Sequence, residues 1–136
     1  MNALEEGTQL ELDFGKIRKV AATCPDVIPV AVQNADTREV ILLAYTSEPA
    51  FRKTVETRSL VLWSTSRNAL WEKGKTSRQT FELVEVRVNC EQNSLLYQVR
   101  PRRGGICHTN NRSGRPRNCF YRRINLRTLK LENTDP

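Results

Sequence analysis

Ile28-Pro29-Val30-Ala31-Val32-Gln33, the turn-forming Asn34-Ala35-Asp36-Thr37-Arg38 and then Val40-Ile41-Leu42-Leu43-Ala44-Tyr45 form the stretch that decides the fold. Two runs rich in β-branched residues flank the turn, so this stretch reads as a β-hairpin whose inner face starts the core. Downstream, Ser47 caps a helix through Glu48-Pro49-Ala50, with proline early, where its missing N–H is not needed. Phe51 and Val55 share a face of that helix, which ends near Thr57. A strand from Leu60 to Ser64 follows, then a polar loop through Arg67, Trp71, Lys73 and Gly74. From Thr80 to Cys90 a further strand changes its apolar phase between Leu83 and Val84, the mark of a bulge or of burial on both faces. Leu95 to Val99 pairs with it across Glu91-Gln92-Asn93-Ser94, and a closing strand near Phe120 to Leu126 follows a Gly104-Gly105 turn and a long polar loop. The expected fold is mainly β, antiparallel, with one short α-helix.

The chain has 136 residues, room for one domain, with a core over about residues 27–126 and loose ends in the first dozen residues and in the tail from Glu132. Hydrophobic residues make up 38% and charged residues 27%, a lean core that a partner subunit would complete. The N-terminus is acidic, and no apolar run approaches the roughly 18 residues of a membrane span, so a cytoplasmic location without membrane contact is expected. In that compartment thiols stay reduced, and Cys24, Cys90, Cys107 and Cys119 read as metal ligands or buried apolar groups rather than disulfides. The net charge is +7, and from Arg100 to Arg123 there are eight arginines and no Asp or Glu, which suits an anionic, phosphorylated ligand.

No pair of cysteines has the C-x-x-C spacing of a zinc ribbon, so spacing alone leaves a shared metal open. Beside Cys107 stands His108, the only histidine, which is either a hydrogen-bonded loop residue or a proton carrier near neutral pH. Ser64, Ser66, Arg67, Lys73, Thr76 and Ser77 mix hydroxyls and cations, as a phosphate site or a solvated turn would, and Arg112, Arg115 and Arg117 form a second basic cluster. Trp63 and Trp71 are candidates for stacking on a base or for core packing.

From Val27 to Arg122 the motifs and their order resemble the phosphoribosyl-AMP cyclohydrolase family of histidine biosynthesis. The resemblance is carried by Ile-Pro-Val-Ala-Val-Gln at 28–33, Thr-Arg-Glu-Val-Ile-Leu-Leu-Ala-Tyr at 37–45, Leu-Trp-Ser-Thr-Ser-Arg at 62–67 and Leu-Trp-Glu-Lys-Gly-Lys-Thr-Ser at 70–77. Asn-Cys-Glu-Gln-Asn at 89–93, Gly-Gly-Ile-Cys-His-Thr at 104–109 and Asn-Cys-Phe-Tyr-Arg at 118–122 complete it. It implies a compact β pseudo-barrel, an obligate homodimer with shared active sites, and a zinc ion held by Cys90, Cys107 and Cys119. It also implies a phosphorylated nucleotide substrate, attack of water at C6 of its purine ring and cleavage of N1–C6; His108, the histidine beside Cys107, is the candidate base or shuttle for that attack. Trp71 and the two basic clusters would then bind substrate.

Departures from the family pattern are local. Where the family carries three carboxylates that bind magnesium, this chain has Asn89, Glu91 and Asn93, a weak remnant that makes magnesium doubtful. Arg78 and Phe81 replace an expected Gly and Gln, and the segment between Cys107 and Cys119 is five residues longer than the family's. An alternative is therefore a paralogous zinc hydrolase or deaminase acting on another phosphorylated purine or related ring. A zinc module binding nucleic acid is favoured by charge alone and is the least expected.

Overall fold

The computed structural model describes residues 2–72, 81–102 and 109–136. In chain order the elements are α1 (Ala3–Glu6), α2 (Lys16–Thr23), β1 (Ile28–Asn34), β2 (Val40–Thr46), α3 (Glu48–Thr57), β3 (Val61–Ser64), β4 (Ala69–Glu72), β5 (Phe81–Val88), β6 (Leu95–Pro101), β7 (Arg122–Ile124) and β8 (Leu131–Asn133). The first six strands in the order β4-β3-β2-β1-β6-β5 make one sheet, and β7 pairs with β8 in a second. The large sheet curls into a half-barrel, because its edge strand β5 reaches back to the segment entering β3. There Ser59 bridges Glu82, and the Leu83 N–H donates to the Arg58 carbonyl at 3.0 Å.

β1 and β2 form the expected hairpin, with Val30 opposite Ala44 and Val32 opposite Leu42. Alternate residues of the strands point inward, and Val30, Val32, Leu60, Leu62, Phe81, Tyr97 and Val99 are all buried in one core. Removing a side chain such as Leu62, fully buried there, would cost about 2–5 kcal/mol. α3 begins as its sequence dictates: the Ser47 hydroxyl accepts from the Ala50 N–H at 3.3 Å, and Pro49 sits in the first turn. Its buried face holds Ala50 and Thr54, whereas Val55 is exposed. Thr54 ties the helix to β3 by accepting from the Val61 N–H at 3.1 Å. The phase change in β5 is a bulge between Leu83 and Glu85.

Five expectations need correction. The sheet is not wholly antiparallel: β1 and β6 run parallel, Val30 beside Leu95 through Asn34 beside Val99. Residue alternation sets which face is buried but not which hairpin docks on which, so this join left no mark in the sequence. Among the described residues there are three helices rather than one, α1 and α2 lying upstream of the first strand. The polar loop after β3 contains strand β4, in which Trp71 pairs with Leu62. The closing strand is the short β7, which joins β8 rather than the large sheet. Both ends, read as loose, carry structure: the Tyr121 hydroxyl donates to the Glu5 carbonyl at 2.6 Å, and Leu131 N–H to the Thr8 carbonyl at 2.8 Å.

Candidate active site

The site is built where the sheet parts. Among the described residues β2 and β3 are joined by one pair, Tyr45 with Trp63, after which the chain turns into β4 instead of continuing alongside β2. The edge of β2 is taken up again further on, where the Cys119 N–H donates to the Ile41 carbonyl at 2.8 Å. Between these fastenings lies a cleft of about 280 Å³, lined by Leu42, Ala44, Trp63, Ser64, Ser66, Trp71 and Cys119 among others.

Antiparallel partners share a face, and Trp63 stands opposite Leu70 while Trp71 stands opposite Leu62, so the two indoles leave opposite faces of the β3–β4 ladder. Both line the cleft because it passes through the gap between strands, and Trp71 also packs against the core. At the rim the Ser64 hydroxyl accepts from the Arg67 N–H at 3.3 Å and from Arg67 Nε at 3.4 Å. With its lone pairs so engaged, the hydroxyl proton is left to donate, either to Ser66 Oγ at 3.4 Å or to a ligand. The structure thus brings Ser64, Ser66, Trp71 and Cys119 together, with Arg67 exposed beside them. Lys73, Thr76, Ser77, Cys107 and His108 lie outside the described residues.

Cys90 and Cys119 are both exposed, and thiols are the soft donors that zinc takes. Cys119 is bonded to β2 and Cys90 follows β5, and β1 and β6 lie between those strands in the sheet order. Among the described residues no group of three His, Cys, Asp or Glu side chains is placed to hold a metal ion.

The turn after β5 does not suit magnesium. The Asn89 amide oxygen accepts from the Asn93 and Ser94 N–H groups, each at 2.9 Å, and its NH₂ donates to Asn93 Oδ1 at 2.6 Å. Amide oxygens that a hard dication would need are thus spent within the turn, and Glu91 is its one carboxylate. A hydrogen bond occupies the place where two acidic side chains would require a cation.

Much of the basic stretch is answered internally. Arg100 grips Asp36 at 3.0 and 3.1 Å, which holds the Asp36 carboxyl below its ordinary range, and Arg123 pairs with Glu132 at 3.3 Å. Arg122 donates to the carbonyls of Gly7 and Leu4. Of the three loop arginines expected at the substrate, Arg112 and Arg115 are exposed on a turn held by the Asn111 side chain, which accepts from the Ser113 and Arg115 N–H groups. Arg117 is 3% exposed: it stacks 3.7 Å over the Tyr121 ring, pairs with Glu6, and donates to Thr109 Oγ1 at 3.0 Å and the Asp135 carbonyl at 2.9 Å. Its guanidinium pins both ends of the chain to the inserted loop.

Sequence reasoning passed over Tyr45 and Lys16, which also line the cleft. The available signal for Lys16 was its position four residues before Val20 in a short helix.

The family model for phosphoribosyl-AMP cyclohydrolase matches residues 42–121, which include the cleft strands and Cys119. A phosphoribosyl-AMP cyclohydrolase of Hyphomonas neptunium is 47% identical over 98 residues, 72% of this chain and 70% of the relative. One from Archaeoglobus fulgidus is 44% identical over 98 residues, 72% of this chain and 85% of the relative. A histidine biosynthesis bifunctional protein of Thermus thermophilus is 43% identical over 98 residues, 72% of this chain and 43% of that longer protein.

Proposed function

The chain belongs to the phosphoribosyl-AMP cyclohydrolase family, and from that premise we propose that it hydrolyses the purine ring of phosphoribosyl-AMP in histidine biosynthesis. Water oxygen bonds to C6, the N1–C6 bond breaks, C6 becomes a carboxamide carbonyl and N1 takes up a proton. The phosphoribosyl group on N1 makes the ring cationic and C6 electrophilic, so a modest nucleophile suffices. The observation that carries the proposal is the convergence of Ser64, Ser66 and Trp71 with the distant Cys119 at one cleft, all within the family-matched span.

In this proposal Trp71, with Trp63, stacks on the base, while Ser64, Ser66, Arg67, Lys73, Thr76 and Ser77 hold one phosphate. Arg112 and Arg115 draw in the other, with Arg117 fixing the root of their loop. Cys90, Cys107 and Cys119 hold zinc, which when bound supplies a Lewis acid that makes water more acidic. His108 takes the proton from the attacking water and returns it to N1. The site is shared in a homodimer, one subunit giving Cys90 and the other Cys119. The strand separation between them and the exposure of both thiols support this division. Magnesium takes no part, and the enzyme works in the cytoplasm.

Expression in a bacterium deleted for its cyclohydrolase tests the proposal. Growth without added histidine is expected; failure to grow with soluble, zinc-loaded protein present would refute it. The Asn89–Asn93 pair favours a second reading, a paralogue opening or deaminating another phosphorylated heterocycle, which that failure would support.

A further inference from the structure

We propose that Lys16 is a substrate-binding residue that holds a phosphate of the nucleotide at the mouth of the cleft, supplied by a helix outside the family-matched span. The inference rests on the cleft being the nucleotide site. Helical periodicity places Lys16 on the same face as Val20, four residues on, which is buried at 8% exposure. That face is turned to the body of the protein, and α2 is held there at its other end. Cys24 Sγ donates to the Thr65 carbonyl at 3.5 Å, and Asn68 Nδ2 donates to the Thr23 carbonyl at 3.1 Å. Both contacts clip the helix to the turn that carries the cleft's hydroxyls.

Lys16 is only partly exposed and makes no salt bridge among the described residues, whereas Lys19 lies 68% exposed and pairs with Asp13 at 3.0 Å. Among the described residues lining the cleft Lys16 is the one charged side chain, and none is a carboxylate. Ser64, Thr65 and Ser66 add hydroxyls to the same lining, and Trp63 and Trp71 add indoles. An ammonium, hydroxyls and indoles around one cleft match the phosphate and base of a nucleoside monophosphate.

Trp63 and Trp71 are the chain's two tryptophans, so their fluorescence reports occupancy of this cleft. Titration of zinc-loaded protein with AMP and with adenosine separates the phosphate from the base. The parent should bind AMP more tightly than adenosine. Lys16→Gln should weaken AMP roughly fivefold or more and leave adenosine within about twofold. Lys16→Arg should restore most of the difference, and Lys19→Gln should match the parent. With phosphoribosyl-AMP, Lys16→Gln should raise KM by a similar factor at nearly unchanged kcat. Equal weakening of AMP and adenosine, unchanged AMP affinity, or a parent that does not prefer AMP would overturn the assignment. A parent that prefers AMP through Lys16 but does not turn over phosphoribosyl-AMP would sink the proposed function and leave the assignment standing.

Discussion

Replacing Asn89 and Asn93 together by Asp should turn a magnesium-indifferent turn into one that needs a cation. The two amides meet at 2.6 Å, so the substitution removes one hydrogen bond and sets two carboxylates against each other. Two like charges about 3 Å apart repel by roughly 1.4 kcal/mol in bulk water and about 5 kcal/mol at an effective dielectric of 20. Asn93 is exposed and Asn89 half-buried, which favours the lower part of that range, about 1–2 kcal/mol. Loss of the hydrogen bond adds about 1 kcal/mol. A total of about 2–3 kcal/mol lowers the melting temperature of a chain this size by roughly 6–10 °C. Circular dichroism melts in magnesium-free buffer should show that drop, and millimolar magnesium should largely reverse it in the variant while leaving the parent unmoved. Lowering the pH through the carboxylate range should also shrink the deficit, because one proton shared by the pair removes the repulsion. A parent stabilised by magnesium as much as the variant would refute the reasoning, as would a variant that melts with the parent in both buffers.

His108→Ala should keep zinc, measured by metal analysis, but lose roughly two to four orders of magnitude in kcat, the usual worth of general acid–base catalysis. Full activity would assign the proton transfer elsewhere. Arg117→Ala should destabilise the fold by about 2–3 kcal/mol in denaturant melts, since it removes the buried cation that bonds to Glu6, Thr109 and the Asp135 carbonyl. Arg112→Gln with Arg115→Gln should instead leave stability nearly unchanged, raise KM and flatten the salt dependence of kcat/KM. Mixing inactive Cys90→Ser and Cys119→Ser proteins should restore about a quarter of parental activity, because half the random dimers carry one intact site. No recovery after subunit exchange would place both thiols in one chain.

What could be read from the sequence was what is local. The β-rich runs around the turn at 34–38, the Ser47 cap with Pro49 and the phase change after Leu83 each fix backbone geometry within a few residues, and the structure has all three. Most of what was missed depends on partners distant in sequence: the parallel join of β1 to β6 is a docking of one hairpin on another. β4 is the exception, a local hairpin partner of β3 hidden in a stretch of polar composition. The charge run from Arg100 to Arg123 suggested a solvated, ligand-seeking face. Arg117 and Arg122 instead fasten the N-terminal segment, whose acid Glu6 and carbonyls lie far off in the chain. The cleft was half legible: family motifs named Ser64, Ser66, Trp71 and Cys119, but Lys16 comes from a helix with one buried residue and no side-chain cap.

The central claim, hydrolytic ring opening, is tested most directly by the mass of the product formed from phosphoribosyl-AMP by zinc-loaded protein in isotopically labelled water. The account predicts a product equal to the substrate plus one labelled water, with no ammonia released. Release of ammonia, or unchanged substrate with fully loaded protein, would contradict it.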